Sequence, residues 1–206
     1  FHTMHHDRLD SPGYKEKFHS EIKKFAELTN HKSRGFRAPT FSLNKNSSWA
    51  IDILAENDYV YDSSVVPAKT SLYGLPNAEK SPYKISSENI EKNNPDGVLT
   101  EFPLLVTNFL GKKIPAAGGF YLRSLPMKIT KNAIKNYEKR GIPSSFYIHS
   151  WELTPEYMPK LELPFKDNFA TFHNIDDTYK RMNEILEEFE FTSFANYISQ
   201  EMNLPN

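Results

Sequence analysis

Apolar residues recur at helical spacing in several stretches of this chain, and shorter apolar runs separate them. From Ser11 to Thr29, Phe18, Ile22, Phe25 and Leu28 fall on one face. Ser11-Pro12 supplies the start signal, with the proline tolerated in the first turn. Ser47 to Asn57 carries Trp49, Ile51, Ile53 and Leu54 and predicts a second helix. Lys128 to Arg140 predicts an amphipathic helix closed by Gly141 and Pro143. The clearest helical pattern runs from Asp176 to Phe189, with Tyr179, Met182, Ile185, Leu186 and Phe189 on one side. Strands are expected at Arg34 to Phe41 (running into a loop), Tyr59 to Tyr61, Leu99 to Val106 and Ser145 to His149. Gly111 marks a turn and Gly118-Gly119 a loop. The stretch Pro67 to Gly97, rich in Pro, Ser, Asn and Tyr, predicts a long surface excursion with a short helix at Ser87 to Lys92. Helix alternating with strand predicts an α/β fold with a parallel sheet, whose functional residues gather at strand C-terminal ends.

Composition narrows the function classes. The 206 residues suit one domain and bury a sizeable core without disulfides. With 25 basic against 26 acidic residues and no basic block, nucleic-acid binding is excluded as the main task. The absence of cysteine excludes thiol catalysis and Cys-ligated zinc. No apolar stretch approaches the ~18 to 20 residues of a membrane span. No signal peptide is visible, which leans the expected location towards the cytoplasm. Phe1 is not an initiator methionine, so the N-terminus is read as truncated.

Five motifs carry candidate chemistry. His2 and His6 stand four residues apart, so on a helical turn both imidazoles reach one metal ion. A purification-tag remnant or a frayed terminus would explain the same three histidines. Arg37 precedes Pro39, and a guanidinium held there orients a nearby carboxylate or forms a surface salt bridge. Asp62 ends an aromatic run, where it either caps the turn through Ser63 or Ser64 or accepts a proton from an imidazole. Gly118-Gly119 beside Phe120-Tyr121 permits close approach to a ligand, as well as simple turn geometry. His149 ends an apolar run, with Trp151 and Glu152 adding a flat wall and a carboxylate suited to a sugar-binding cleft.

In this order, His2-Thr3-Met4-His5-His6, Arg37-Ala38-Pro39-Thr40-Phe41-Ser42, Tyr61-Asp62-Ser63-Ser64, Ala117-Gly118-Gly119-Phe120-Tyr121 and Phe146-Tyr147-Ile148-His149-Ser150-Trp151-Glu152 resemble the polysaccharide deacetylases of carbohydrate esterase family 4. The branch found in exopolysaccharide and exosortase-associated loci is the one the chain looks most like. The tail block Phe172-His173-Asn174-Ile175-Asp176 extends the similarity towards Tyr197.

The resemblance implies one domain over residues 1–206, a distorted, incomplete (β/α)7-type barrel lacking its first strand. It implies metal-dependent removal of N-acetyl groups from an amino-sugar polysaccharide or glycan precursor. His2 and His6 would be two metal ligands, for zinc first and for cobalt, nickel or manganese otherwise. The family's Asp-Asp motif, which supplies the third ligand and the general base, has no counterpart in this sequence. By the same resemblance, Arg37 would orient the base, the Thr40 backbone N–H would hold the oxyanion, and His149 would protonate the departing amine. Asp62 would hold His149, and Gly118, Gly119, Trp151 and Glu152 would line the substrate cleft. The alternative function is a non-catalytic carbohydrate-binding relative that has lost the aspartates. A carbohydrate is the expected partner, together with a second copy of the chain through an exposed sheet edge.

Overall fold

The computed structural model describes residues 1–159 and 161–201, which fall into two compact units. The first unit comprises Phe1–Pro115 with Tyr137–Ser145, and the second Ala116–Asn136 with the chain from Phe146 onward.

In the first unit, α1 (Tyr14–Leu28) leads to β1 (Gly35–Phe36), then α2 (Trp49–Glu56) leads to β2 (Tyr61–Asp62). β3 (Tyr83–Ile85) and β4 (Leu99–Glu101) complete a four-stranded sheet of order β1-β2-β4-β3. β1, β2 and β4 are parallel, with Phe36 beside Asp62 and Asp62 beside Glu101, while β3 runs antiparallel to β4. Three parallel strands therefore end together, and Arg37, Asp62 and Glu101 sit at that common edge. The outer side of β1 is paired as well. The Phe1 amine donates to the Gly35 carbonyl and the Arg37 N–H donates to the Phe1 carbonyl, the pattern of a parallel bridge.

The two helices bury the stripes that their periodicity predicts. Phe18 and Ile22 of α1 join Ile51 and Leu54 of α2 in one cluster with Phe36, Ile85 and Leu99 from the strands. Each such side chain contributes about 1.5–3 kcal/mol by leaving water. Leu28, expected on the same face, lies in the last turn and remains exposed.

The polar excursion holds a strand rather than the expected helix. Its one regular element is β3, and residues 87–92 form turns. Asn89 explains this, because its side-chain oxygen accepts the N–H groups of Glu91 and Lys92 and so competes with helical bonding. After β4, β5 (Val106–Phe109) and β6 (Lys112–Pro115) form a hairpin. Both residues of its two-residue loop, Leu110 and Gly111, have positive φ, as the twist of a tight hairpin requires.

The second unit is mainly helical: α3 (Gly119–Ser124), α5 (Ser150–Leu153), α6 (Phe165–Phe172), α7 (Thr178–Glu188) and α8 (Phe194–Glu201), with most of α4 (Met127–Glu138). α4 ends as predicted, with Gly141 left-handed and its N–H on the Glu138 carbonyl. The strand expected at Ser145 to His149 is reduced to single parallel bridges, Ser145 to Leu104 in the first unit and Tyr147 to Gly118 in the second. α7 buries Ile185 and Phe189, whereas Tyr179 and Leu186, expected on that face, are exposed. Arg181 of α7 donates to the Leu122 and Leu125 carbonyls, placing a cation at the C-terminal end of α3. No helix among the described residues is long and apolar enough to cross a membrane.

Candidate functional site

The chain leaving β2 is buried from Asp62 to Ala68, so its backbone polar groups need partners inside the protein. Two of the sequence motifs and Glu101 supply them. Arg37 donates through Nε to the Ser63 carbonyl at 2.8 Å and through its terminal nitrogen to Ser63 Oγ at 2.7 Å. The Ala38 N–H donates to Ser64 Oγ at 2.8 Å, and that hydroxyl donates to Asp62 Oδ1 at 2.6 Å. Glu101 closes the turn by accepting the Val65 N–H at 2.9 Å. Arg37 and Asp62, separated by 24 intervening residues in the chain, thus belong to one network at the ends of β1, β2 and β4.

Asp62 and Glu101 face each other across the sheet, both fully buried. Burial raises both carboxyls above their ordinary values. For Asp62, hydrogen bonds from Glu101 and Ser64 and the charge of Arg37 work against that rise. For Glu101, the neighbouring Asp62 charge adds to it, and its value is raised well above the ordinary 4.5. Asp62 Oδ2 meets no N–H or hydroxyl donor among the described residues. Glu101, the more strongly raised of the two, is hydrogen-bonded to Asp62, an arrangement that favours one proton on the pair.

Residues 2–6 do not form the helical turn expected of them. Thr3 and His6 take positive φ, and this bent path still brings the His2 and His6 rings within 5.0 Å, edge to face. Glu21 anchors the segment, accepting the Met4 N–H and the Tyr14 hydroxyl. His2 Nδ1 lies 2.6 Å from the Arg37 carbonyl oxygen, so Nδ1 carries the proton and Nε2 is the free ligand atom. Loss of water around the ring lowers the pKa of His2 below 6.5, against the pull of the Arg37 carbonyl and helped by the charges of His6 and Arg37. These donors fit two of the three protein ligands that a catalytic zinc takes. No group of three His, Asp or Glu able to hold a metal occurs among the described residues.

Thr40 and Phe41 are both left-handed, at φ +53° and +49°. For a β-branched residue this conformation is strained by about 1–3 kcal/mol, and such strain clusters at functional positions. The strained pair directly follows the Arg37-Ala38-Pro39 segment.

His149 belongs to a different constellation. Its Nδ1 lies 2.7 Å from Glu152 Oε2, and the same oxygen accepts the His149 N–H at 2.9 Å. Glu152 Oε1 accepts from Arg123 Nε at 3.0 Å, and Arg123 also donates to the His173 and Ala170 carbonyls at the end of α6. Burial pushes the Glu152 carboxyl up, but the bonds from His149 and the charge of Arg123 outweigh it, and its pKa falls below 4.5. The Trp151 ring stacks on His149 at 5.1 Å and 19°.

Two expectations are corrected here, those for Asp62 and Glu152. The carboxylate on the His149 ring is Glu152, not Asp62, whose own partners are Ser64 and Glu101. Glu152 is buried against Arg123 and does not line an open cleft. Gly118 and Gly119, at φ +112° and +53°, are needed by the chain itself: a Cβ on either would collide with the Tyr147 carbonyl oxygen or ring. Glu101 and Arg123 escaped the sequence reading. Their signal was a lone charge inside an apolar run, in Leu99-Thr100-Glu101-Phe102 and in Phe120-Tyr121-Leu122-Arg123.

An α/β unit with an acid-lined parallel strand edge is followed by a helical unit in which a buried Arg–Glu pair holds an exposed histidine. Residues 63–199 match the family described as a domain of unknown function (DUF3473), and the chain belongs to that family. No curated protein matches the chain.

Proposed function

We propose that this protein is a metal-dependent hydrolase that removes N-acetyl groups from an amino-sugar polysaccharide or glycan precursor. The observation that carries the reading is the convergence of three motifs on one strand edge. The paired imidazoles of His2 and His6 abut the Arg37 backbone, and the Arg37 side chain holds the turn after Asp62. Within this reading the strands belong to a distorted (β/α)7-type barrel, with the site at their C-terminal ends.

His2 and His6 would hold the ion, which when bound acidifies a coordinated water and polarises the acetamide carbonyl. The Arg37 carbonyl keeps His2 Nε2 unprotonated and available. Arg37 spends its own hydrogen bonds on the Ser63 carbonyl and hydroxyl, which fixes the Asp62 turn against β1. The strained Thr40 backbone supplies an N–H donor for the oxyanion. Within the helical unit, His149 offers a proton donor, and the stacked Trp151 offers a flat face suited to a sugar ring.

The test is a zinc titration by calorimetry on the chain and on His6→Ala, with acetate release measured from a partly N-acetylated glucosamine polymer. The reading expects zinc binding that the variant loses, and acetate release that a chelator stops. Equal metal binding in both proteins would remove the metal site. Glycan binding that a chelator leaves unchanged, without acetate, would mark a carbohydrate-binding relative instead.

A further inference from the structure

We propose that Glu152, bonded on its other oxygen to Arg123, is the positioning residue of His149. It fixes the neutral ring as the Nδ1–H tautomer, so that Nε2 is the atom that exchanges protons with substrate. The inference rests on the reading of His149 as proton donor and names what governs that donor.

A simpler role would be helix capping, since Glu152 occupies the third position of α5 and takes the His149 N–H at its start. Capping accounts for one bond and leaves the rest of the arrangement unexplained. Oε2 also takes the ring Nδ1, and Oε1 is bonded to an arginine whose side chain is only 2% exposed. An ion pair stripped of water in this way costs desolvation that a surface cap avoids. What it secures is a negative charge against the imidazole: the bonds from His149 and the charge of Arg123 together keep Glu152 from taking up a proton. Arg123 is itself fixed by the two carbonyls at the end of α6, so the charge cannot drift.

The ring is oriented from three directions. Glu152 holds Nδ1, Trp151 lies flat against one face, and the Tyr147 ring meets it edge-on at 5.4 Å and 89°. The His149 side chain nevertheless remains 43% exposed, while the Glu152 side chain is at 0%. A buried acid behind an open imidazole is the layout of a proton-transfer histidine with its orienting carboxylate.

In the proposed step the imidazolium gives its Nε2 proton to the amine nitrogen as the C–N bond breaks. The bonding pair goes to that nitrogen. The ring is left neutral, with its remaining proton on Nδ1 shared with Glu152, and Glu152 keeps its negative charge throughout. It is a positioning residue, since it acts through His149.

The experiment is ring ¹⁵N NMR of the full chain, made above the histidine titration range and without metal or substrate. The His149 signal is identified by its disappearance in His149→Gln. The expected result is an Nδ1–H tautomer in the wild type and at least a tenfold rise of the Nε2–H to Nδ1–H ratio in Glu152→Gln. A wild-type ring in the Nε2–H form would overturn the proposal at once, even if the variant failed to fold. An unchanged ratio in a folded variant would overturn it too. The expected tautomers in a chain that releases no acetate would sink the deacetylase reading alone.

Discussion

The two units each bury an acidic network, and they solve the same electrostatic problem in opposite ways. At the strand edge, Asp62 and Glu101 are buried side by side, and the Arg37 guanidinium bonds the neighbouring Ser63. Burial pushes both acids up, and the Asp62 charge pushes Glu101 further. In the helical unit, Glu152 is buried just as completely but touches a guanidinium and an imidazole, and its pKa goes down. Burial alone does not decide the charge of an acid in this protein; the group bonded to it does.

The largest effect should come from removing the cation of the helical unit. Arg123→Met keeps the volume but leaves Glu152 charged and buried, with the carbonyls of Ala170 and His173 losing their donor. Breaking a buried pair from one side costs about 3–5 kcal/mol. Urea unfolding at neutral pH measures it. A loss under about 1 kcal/mol would mean that the pair behaves as if solvated, and the contrast between the units would collapse.

A smaller loss is expected from Ser64→Ala at the strand edge. The hydroxyl donates to Asp62 and accepts the Ala38 N–H, so the variant strands one buried acceptor and one buried donor. Leaving such groups unpaired costs about 1–3 kcal/mol, read from the same unfolding curves. Ser64→Thr keeps the hydroxyl and should recover part of that loss. Equal losses in the two variants would assign the effect to packing instead of to the network.

The sequence made the helical scaffold legible but left these networks largely hidden, for a physical reason. Periodicity located α1, α2, α4 and α7 because each carries apolar residues at helical spacing, at least part of which it buries. The sequence also put Asp62 at a strand end and Arg37 within a strand running into a loop. β1 and β2 are two residues each, too short for an alternating pattern, and β3 lies inside a polar stretch. The partner of an acid is set by register and by contacts across the fold. Glu101 meets Asp62 because β2 and β4 are adjacent, and Arg123 meets Glu152 across 29 positions. The His149–Glu152 contact, only three residues apart, was within reach of the sequence. The family resemblance assigns that role to Asp62 instead.

The smallest expected effect is also the one that reads the contrast most directly, through the pH dependence of stability. Glu101 is raised above its ordinary 4.5 in the folded chain, so the fold binds that proton more tightly than the unfolded chain does. Its contribution is fully present below pH 4.5 and is lost as pH rises through the raised value. Glu152 is lowered, so its contribution is present above 4.5 and is lost as pH falls. Glu101→Gln mimics the protonated acid: its carbonyl accepts the Val65 N–H and its amide donates to Asp62. The variant should match the wild type at about pH 4.5 and gain on it as pH rises, by at most about 1.4 kcal/mol per pH unit for one proton. Denaturant unfolding from the acid side to mildly alkaline pH supplies both curves. Parallel curves would mean that Glu101 is ionised in the fold, and that the strand edge carries two charges where the geometry leaves room for one.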